Sequence, residues 1–195
     1  MKTLLITCFE PFGGDDVNAS YEAVQGLPAK IGGWKLEKLQ LPVVFGTCAA
    51  PVLNALGRIR PAAVLLTGQA GGRKAVTPEM FAHNLRFARI PDNEGNCPMD
   101  EPIDDGPLAL RSTMDVRKLS DAIKKAGLPA EVSYSAGAYV CNDLYYQILR
   151  YAEKQADSAD PSRPLPVCFI HVPSVSDGLP VRSLSDALTA AVLAL

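Results

Sequence analysis

Residues 62–67, Ala-Ala-Val-Leu-Leu-Thr, run into Gly68-Gln69-Ala70-Gly71-Gly72, and this stretch decides the fold. An apolar run without polar alternation reads as a strand covered on both faces, as in a parallel sheet, and the glycines mark its exit. Just upstream, residues 47–59 carry apolar side chains at helical spacing, with Pro51 tolerable in the first turn. Residues 34–44 alternate instead, with Leu36, Leu39, Leu41 and Val43 on the buried side of an expected strand. Residues 3–8 form another short apolar run, ending in Phe12-Gly13-Gly14-Asp15-Asp16, after which Asn18 or Ser20 is placed to cap a helix.

Downstream, residues 73–112 are irregular, with one expected strand at 80–90 and a polar loop at 91–100. Regularity returns with an amphipathic helix at 115–126, closed by Gly127 and Pro129. A strand is expected at 131–135, a helix at 139–154, a polar surface loop at 155–166, a strand at 167–172 and a closing helix at 183–195. The alternation specifies an α/β fold: one domain over residues 1–195, a three-layer α/β/α sandwich with a mostly parallel (mixed) central sheet. Ligands bind such sheets beyond the carboxyl ends of the strands. The site is therefore sought at 8–14, 67–73, 135–142 and 170–174.

Composition narrows the function classes. Hydrophobic residues make up 48% of the 195, charged residues 21%, and the net charge is -2. Basic residues are scattered, which argues against a nucleic-acid partner. No apolar stretch approaches the roughly 20 residues of a membrane span, so no membrane partner is expected. The N-terminal run is too short for a signal core and reads as a buried first strand. Five cysteines, at 8, 48, 97, 141 and 168, form neither a CxxC pair nor a disulfide framework. Free thiols of this kind point to a reducing cytoplasm, and their spacing to no metal site.

Two of the five cysteines stand at strand exits, Cys8 and Cys141. Cys141 falls in the first turn of a helix expected after Ser135-Ala136-Gly137, where the helix dipole and free N–H groups favour a thiolate and an oxyanion. The chain has only two histidines, His83 and His171. His171 ends an apolar run and is followed by Val172-Pro173, which holds it at a strand exit. A cysteine and a histidine converging there would form a nucleophile and base for acyl transfer. The base needs an orienting acceptor, for which Glu79, Asp92, Glu94 and Asp143 all qualify on sequence. The glycines at 68–72 followed by Arg73 allow a competing reading as a phosphate cradle in a binding protein.

Four blocks in order resemble the pyroglutamyl peptidase I (pyrrolidone-carboxylate peptidase) family of cysteine peptidases. They are Thr7-Cys8-Phe9-Glu10-Pro11-Phe12-Gly13-Gly14 with Asn18; Gly68 to Arg73 through Thr77-Pro78-Glu79 and Ala82-His83-Asn84; Ala88-Arg89-Ile90-Pro91 with Asn93-Glu94-Gly95 and Asp100 to Ile103; and Ser135 to Asn142 completed by Phe169-Ile170-His171-Val172-Pro173. The resemblance implies a catalytic set of Cys141, His171 and Glu79, working through a thioester without cofactor or metal. The implied substrates are peptides with an N-terminal pyroglutamyl residue. It implies a ring pocket of Phe9, Phe12, Val43, Ile90, Tyr139 and Val140, with Asn18 and the backbone near Gln69 as polar contacts. Arg89 and the N–H of Cys141 are the expected oxyanion donors, with Arg73 a substitute. Assembly as a homodimer or homotetramer is also implied. Three positions depart from the family pattern: Met80 stands for a usual Arg or Lys, Cys8 for a glycine and Ala19 for a proline. Cys8 is thereby expected to place a second thiol near the pocket.

Overall fold

The computed structural model describes residues 1–159 and 164–195, with side chains described outside 156–163. Among the described residues there are eight strands: β1 (Lys2–Phe9), β2 (Lys30–Ile31), β3 (Trp34–Leu41), β4 (Ala63–Ala70), β5 (Thr77–Pro78), β6 (Phe81–His83), β7 (Ala109–Arg111) and β8 (Val167–Pro173). The helices are α1 (Ala19–Gln25), α2 (Ala50–Ile59), α3 (Val116–Lys125), α4 (Val140–Ala159) and α5 (Val181–Leu193). Six strands form one sheet in the order β2-β3-β1-β4-β8-β5. The central pairs β3–β1, β1–β4 and β4–β8 are parallel, and the edge pairs β2–β3 and β5–β8 antiparallel.

The period-2 alternation of the strands feeds two cores. Leu4, Ile6 and Cys8 of β1 pack with Cys168, Ile170 and Val172 of β8 against α1, α3 and α5. Leu5 and Phe9, Val64 and Leu66, and Val167 and Phe169 pack on the other face against α2 and α4. This is the sandwich expected, with a mostly parallel mixed sheet. Asn18 caps α1, its Oδ1 accepting from Ser20 N at 2.9 Å, and Asp115 caps α3 through Arg117 N and Lys118 N.

Three expectations are corrected. Residues 80–90 hold only the short β6, which pairs with β7 away from the main sheet. Beyond it the segment folds back as loop, pinned by Asn142, whose amide bonds His83 N, His83 O and Leu85 O. Residues 131–135 form no continuous strand: the segment runs along the outer edge of the two-residue β5 and meets it only in isolated parallel bridges, such as Glu79 with Ser133, with Glu131 N donating to Val76 O and Ser133 N to Pro78 O. Helix α4 continues to Ala159, so the start of the loop expected at 155–166 is helical; residues 160–163 lie outside the described residues.

Candidate active site

Parity along β8 points Val167, Phe169 and His171 to the α4 side of the sheet. Gly68 of β4 is the register partner of His171 and shares that face. A Cβ on Gly68 would lie 2.8 Å from Cys141 Sγ and 2.8 Å from the Phe169 ring. The sulfur thus occupies the space a side chain would take at the position paired with His171 on the neighbouring strand. Gly68 is needed for this approach, which removes it from any phosphate cradle: it lies inside the strand, and Cys141 covers it.

Cys141 is delivered by the turn at Ser135-Ala136-Gly137, where Gly137 takes a φ of 83°, and by the first turn of α4. Its N–H is one of the helix's initial donors, which have no carbonyl partner inside the helix. The thiol does not behave as helix-dipole reasoning expects. Burial pushes it up to about 12; the charge of Glu79 adds to the rise and that of Arg73 opposes it.

His171 Nδ1 lies 2.7 Å from Glu79 Oε1. Glu79 follows β5, which pairs antiparallel with β8, and its N–H donates to Phe169 O at 2.8 Å, so its side chain shares the face of Phe169 and His171. Tyr145 of α4 donates its hydroxyl to Glu79 O at 3.0 Å. Burial alone would raise the Glu79 carboxyl. The hydrogen bond to His171, the charges of His171 and Arg73, and nearby Ser133 outweigh it and hold the group below the ordinary carboxylate value. Arg73 Nη1 reaches the same Oε1 at 2.5 Å, while Oε2 is buried without a hydrogen-bond partner.

The other acceptors considered are committed elsewhere. Asp143 binds Arg86 Nε at 2.9 Å and Gly46 N at 2.7 Å. Asp92 accepts from Phe45 N, Glu94 N and Asn96 N and shapes its own loop. Glu94 is exposed. Of these four carboxylates only Glu79 bonds to His171.

A cavity of about 100 Å³ opens onto Cys141 and His171, lined by Phe9, Phe12, Val43, Ala136, Tyr139 and Val140, with Asn18 and Gln69 at its polar side. It exceeds what one water needs, roughly 10–15 Å³. Tyr139 is fixed as a wall: its hydroxyl donates to Pro91 O at 3.1 Å, and its ring meets Phe45 edge-on at 5.3 Å. The amides of Asn18 and Gln69 are largely engaged within the fold. Asn18 bonds Glu10 O, Ser20 N and Ser20 Oγ; Gln69 Oε1 accepts from Ala19 N at 2.6 Å and its Nε2 donates to Asp15. A proline at position 19 would have no N–H for Gln69, so this departure from the family pattern has a structural consequence.

Two expected residues stand outside the lining. Ile90 is 46% exposed and packs beside Gly13, and Arg89 is exposed. Ala136 belongs to the wall and was not anticipated; its signal is its place in the small-residue turn before Tyr139. The expectation for Cys8 is corrected. It lies in the core on the opposite face of the sheet from Cys141, because its parity is that of Leu4 and Ile6 rather than Phe9. Met80 is buried on that same far face and does not contact the Glu79 carboxylate; Arg73 does. Among the described residues no group of three His, Cys, Asp or Glu side chains is arranged to hold a metal, and no helix is long and apolar enough to cross a membrane.

A mixed α/β sandwich with a thiol, an imidazole and a buried carboxylate at its strand exits defines the class: a cysteine-type peptidase. A sequence model of the pyroglutamyl peptidase family matches residues 1–187, and the chain belongs to that family. It is 46% identical to the pyrrolidone-carboxylate peptidase of Levilactobacillus brevis, covering 98% of this chain and 96% of that one. It is 42% identical to pyrrolidone-carboxylate peptidase 1 of Caldanaerobacter subterraneus, covering 96% and 93%. Among solved structures it superposes on pyroglutamyl peptidase I of Bacillus amyloliquefaciens with a TM-score of 0.88 at 38% identity, covering 98% and 95%. On the pyrrolidone carboxyl peptidase of Thermococcus litoralis the TM-score is 0.91 at 34% identity, covering 100% and 93%.

Proposed function

We propose that this enzyme hydrolyses the bond after an N-terminal pyroglutamyl residue, with Cys141 as nucleophile, His171 as general base and acid, and Glu79 orienting His171. The observation that carries the reading is the Glu79–His171 bond beside a sulfur seated over Gly68, all on one face of the sheet. An ionised Glu79 only accepts hydrogen bonds, so Nδ1 of His171 carries the hydrogen and Nε2 is left as base. Because the resting thiol is protonated, the proton passes from Sγ to Nε2 as sulfur attacks the pyroglutamyl carbonyl. The N–H of Cys141 faces the developing oxyanion. His171 then gives the proton to the departing amine, leaving a thioester. Water, deprotonated by the same Nε2, cleaves the thioester and frees pyroglutamate. No step draws on a metal or cofactor.

The cavity supports the choice of substrate. Phe9, Phe12, Val43, Ala136, Tyr139 and Val140 suit a flat, uncharged lactam. An ordinary N-terminus would bring in an ammonium, and no carboxylate lines the cavity among the described residues to offset its desolvation. Since the amides of Asn18 and Gln69 are largely engaged, backbone groups at the rim are the favoured partners for the lactam N–H and C=O. Arg89 is retained as an oxyanion donor only if it swings in from its exposed position, which Arg89→Ala tests through kcat.

Release of the chromophore from a pyroglutamyl-amide, measured before and after iodoacetamide, tests the assignment. Cys141→Ala is expected to abolish turnover, and His171→Ala to cost roughly 10²–10⁴-fold. Full activity in Cys141→Ala removes the assignment. Self-association as a dimer or tetramer and residence in a reducing cytoplasm extend the same family-based reading. Light scattering and cell fractionation measure them.

A further inference from the structure

Arg73 and His171 bind the same oxygen of Glu79. Arg73 Nη1 is 2.5 Å from Oε1 and His171 Nδ1 is 2.7 Å from it. Arg73 also donates to Thr77 Oγ1, and Thr77 is the register partner of His171 across β5 and β8. The arginine side chain is 30% exposed and the carboxylate 0%, so the guanidinium forms the outer end of a line running Arg73, Glu79, His171.

Burial disfavours the charged form of a carboxyl, so an ionised Glu79 beside a neutral imidazole draws on whatever cation and hydrogen bonds reach it. The titratable and hydrogen-bonding groups that influence Glu79 are His171 on its own face of β8, Cys168 from the far face of β8, Cys141 and Tyr145 from α4, Ser133, and Arg73. Both thiols and the tyrosine are pushed up by burial and stay neutral near pH 7, and His171 must be neutral to act as base. Among these groups the guanidinium alone is a permanent cation.

We propose that Arg73 is a positioning residue: its charge keeps Glu79 ionised while His171 is neutral, and so keeps Nε2 of His171 free to accept the Cys141 proton. The proposal rests on the Cys141–His171–Glu79 reading above. Without the cation, the Glu79–His171 pair takes up one proton from solvent more readily. If that proton sits on Glu79, its O–H donates to Nδ1 and the imidazole hydrogen moves to Nε2. If it sits on His171, both ring nitrogens are donors. In either arrangement the base is lost, so the direction of the effect does not depend on which group holds the proton. The position after Glu79 is therefore free to be apolar, as Met80 is, because the cation arrives from the loop after β4.

The test compares Arg73→Gln with Arg73→Lys on a pyroglutamyl-amide from pH 5 to 9. Arg73→Gln is expected to move the acidic limb of kcat/KM upward by about one to three pH units. The loss should fall on kcat more than on KM and shrink as pH rises. Arg73→Lys is expected to restore most of the limb. A purely structural role would instead lower the rate evenly across pH; that result, or an unmoved limb, overturns the proposal. Should Arg73→Gln fail to fold, Thr77→Val strips Arg73 of its second anchor and is expected to shift the limb the same way by a smaller step; no shift there counts equally against the proposal. A ¹⁵N spectrum of the labelled histidines reads the His171 tautomer without any substrate. An inactive wild-type enzyme would thus defeat the functional reading, whereas an unchanged His171 tautomer in Arg73→Gln would defeat only this inference.

Discussion

Gly68 is the register partner of His171, and its missing side chain leaves the space that Cys141 Sγ fills. A methyl group there would sit 2.8 Å from the sulfur and equally close to the Phe169 ring, both fixed by packing. Gly68→Ala is expected to keep the fold but displace the thiol, lowering kcat/KM on the order of 10²-fold, the usual result of moving a reacting atom by about an ångström. Wild-type kinetics in Gly68→Ala would show that the sulfur is not held against this strand.

The pH dependence of alkylation follows from the protonated resting thiol. With Cys141 pushed up to about 12 by burial, its thiolate fraction rises with pH throughout the neutral range. Inactivation by iodoacetamide is expected to accelerate close to tenfold per pH unit between pH 6 and 9. A rate that levels off below pH 7 would instead reveal a preformed thiolate–imidazolium pair.

Cys8 is expected to be dispensable. It is fully buried on the far face of the sheet, whereas Cys97 is exposed and Cys141 borders the cavity. Cys8→Ala should retain turnover and its sensitivity to iodoacetamide. Mass spectrometry after brief native labelling should find Cys97 and Cys141 modified, with Cys8, Cys48 and Cys168 untouched. Loss of turnover in Cys8→Ala at an unchanged melting temperature would return Cys8 to the site.

Alkaline stability is expected to fall because of buried thiols. Cys8 and Cys168 are both raised by burial from 9.0 to about 12. Above pH 9 the unfolded chain has released these protons and the folded chain has not, so unfolding releases protons and stability declines as pH rises toward 12. Each thiol contributes a slope of up to roughly 1.4 kcal/mol per pH unit. Urea unfolding of Cys8→Ala and wild type at pH 8 and 10 measures it: the variant should lose less between the two, and equal losses would count against the assignment.

Asp143 is expected to matter for stability rather than as the partner of His171. Its buried carboxylate ties Arg86, Gly46 N and Gln147 to the start of α4. Asp143→Ala leaves Arg86 without its partner and should cost about 3–5 kcal/mol in urea unfolding. A near-neutral change would mean that the loops at 43–48 and 83–101 are held by other contacts.

Much of the fold was legible locally because it is a matter of period and punctuation. The apolar run at 63–66, the cap at Asn18 and the stop at Gly127 each depend on neighbours in sequence. The segment 80–90 was misread because a run of apolar and polar residues does not say whether a sheet has an edge free to receive it. Here residues 129–133 already take the outer edge of β5, and Asn142 takes the backbone groups of His83 and Leu85. Cys8 was misplaced for a related reason. Standing at a strand exit does not decide which face a residue occupies, and its parity with Leu4 and Ile6 counts only once β1 is set between two helical layers.

The sequence by itself determined an α/β sandwich, a short list of chemically capable residues, and the family to which they are similar. Cys141 and His171 stood out because strand exits and a helix start are written in consecutive residues. Only the tertiary structure decided which carboxylate serves His171, where the cation on that carboxylate comes from, and what the glycine at 68 is for. Those answers depend on register between strands β4, β5 and β8 and on the face α4 covers, which bring together residues 68, 73, 79, 141 and 171 from separate parts of the chain. Burial then works against the expected thiolate, pushing the Cys141 thiol up, since desolvation at the packed site opposes what a helix start offers an exposed sulfur.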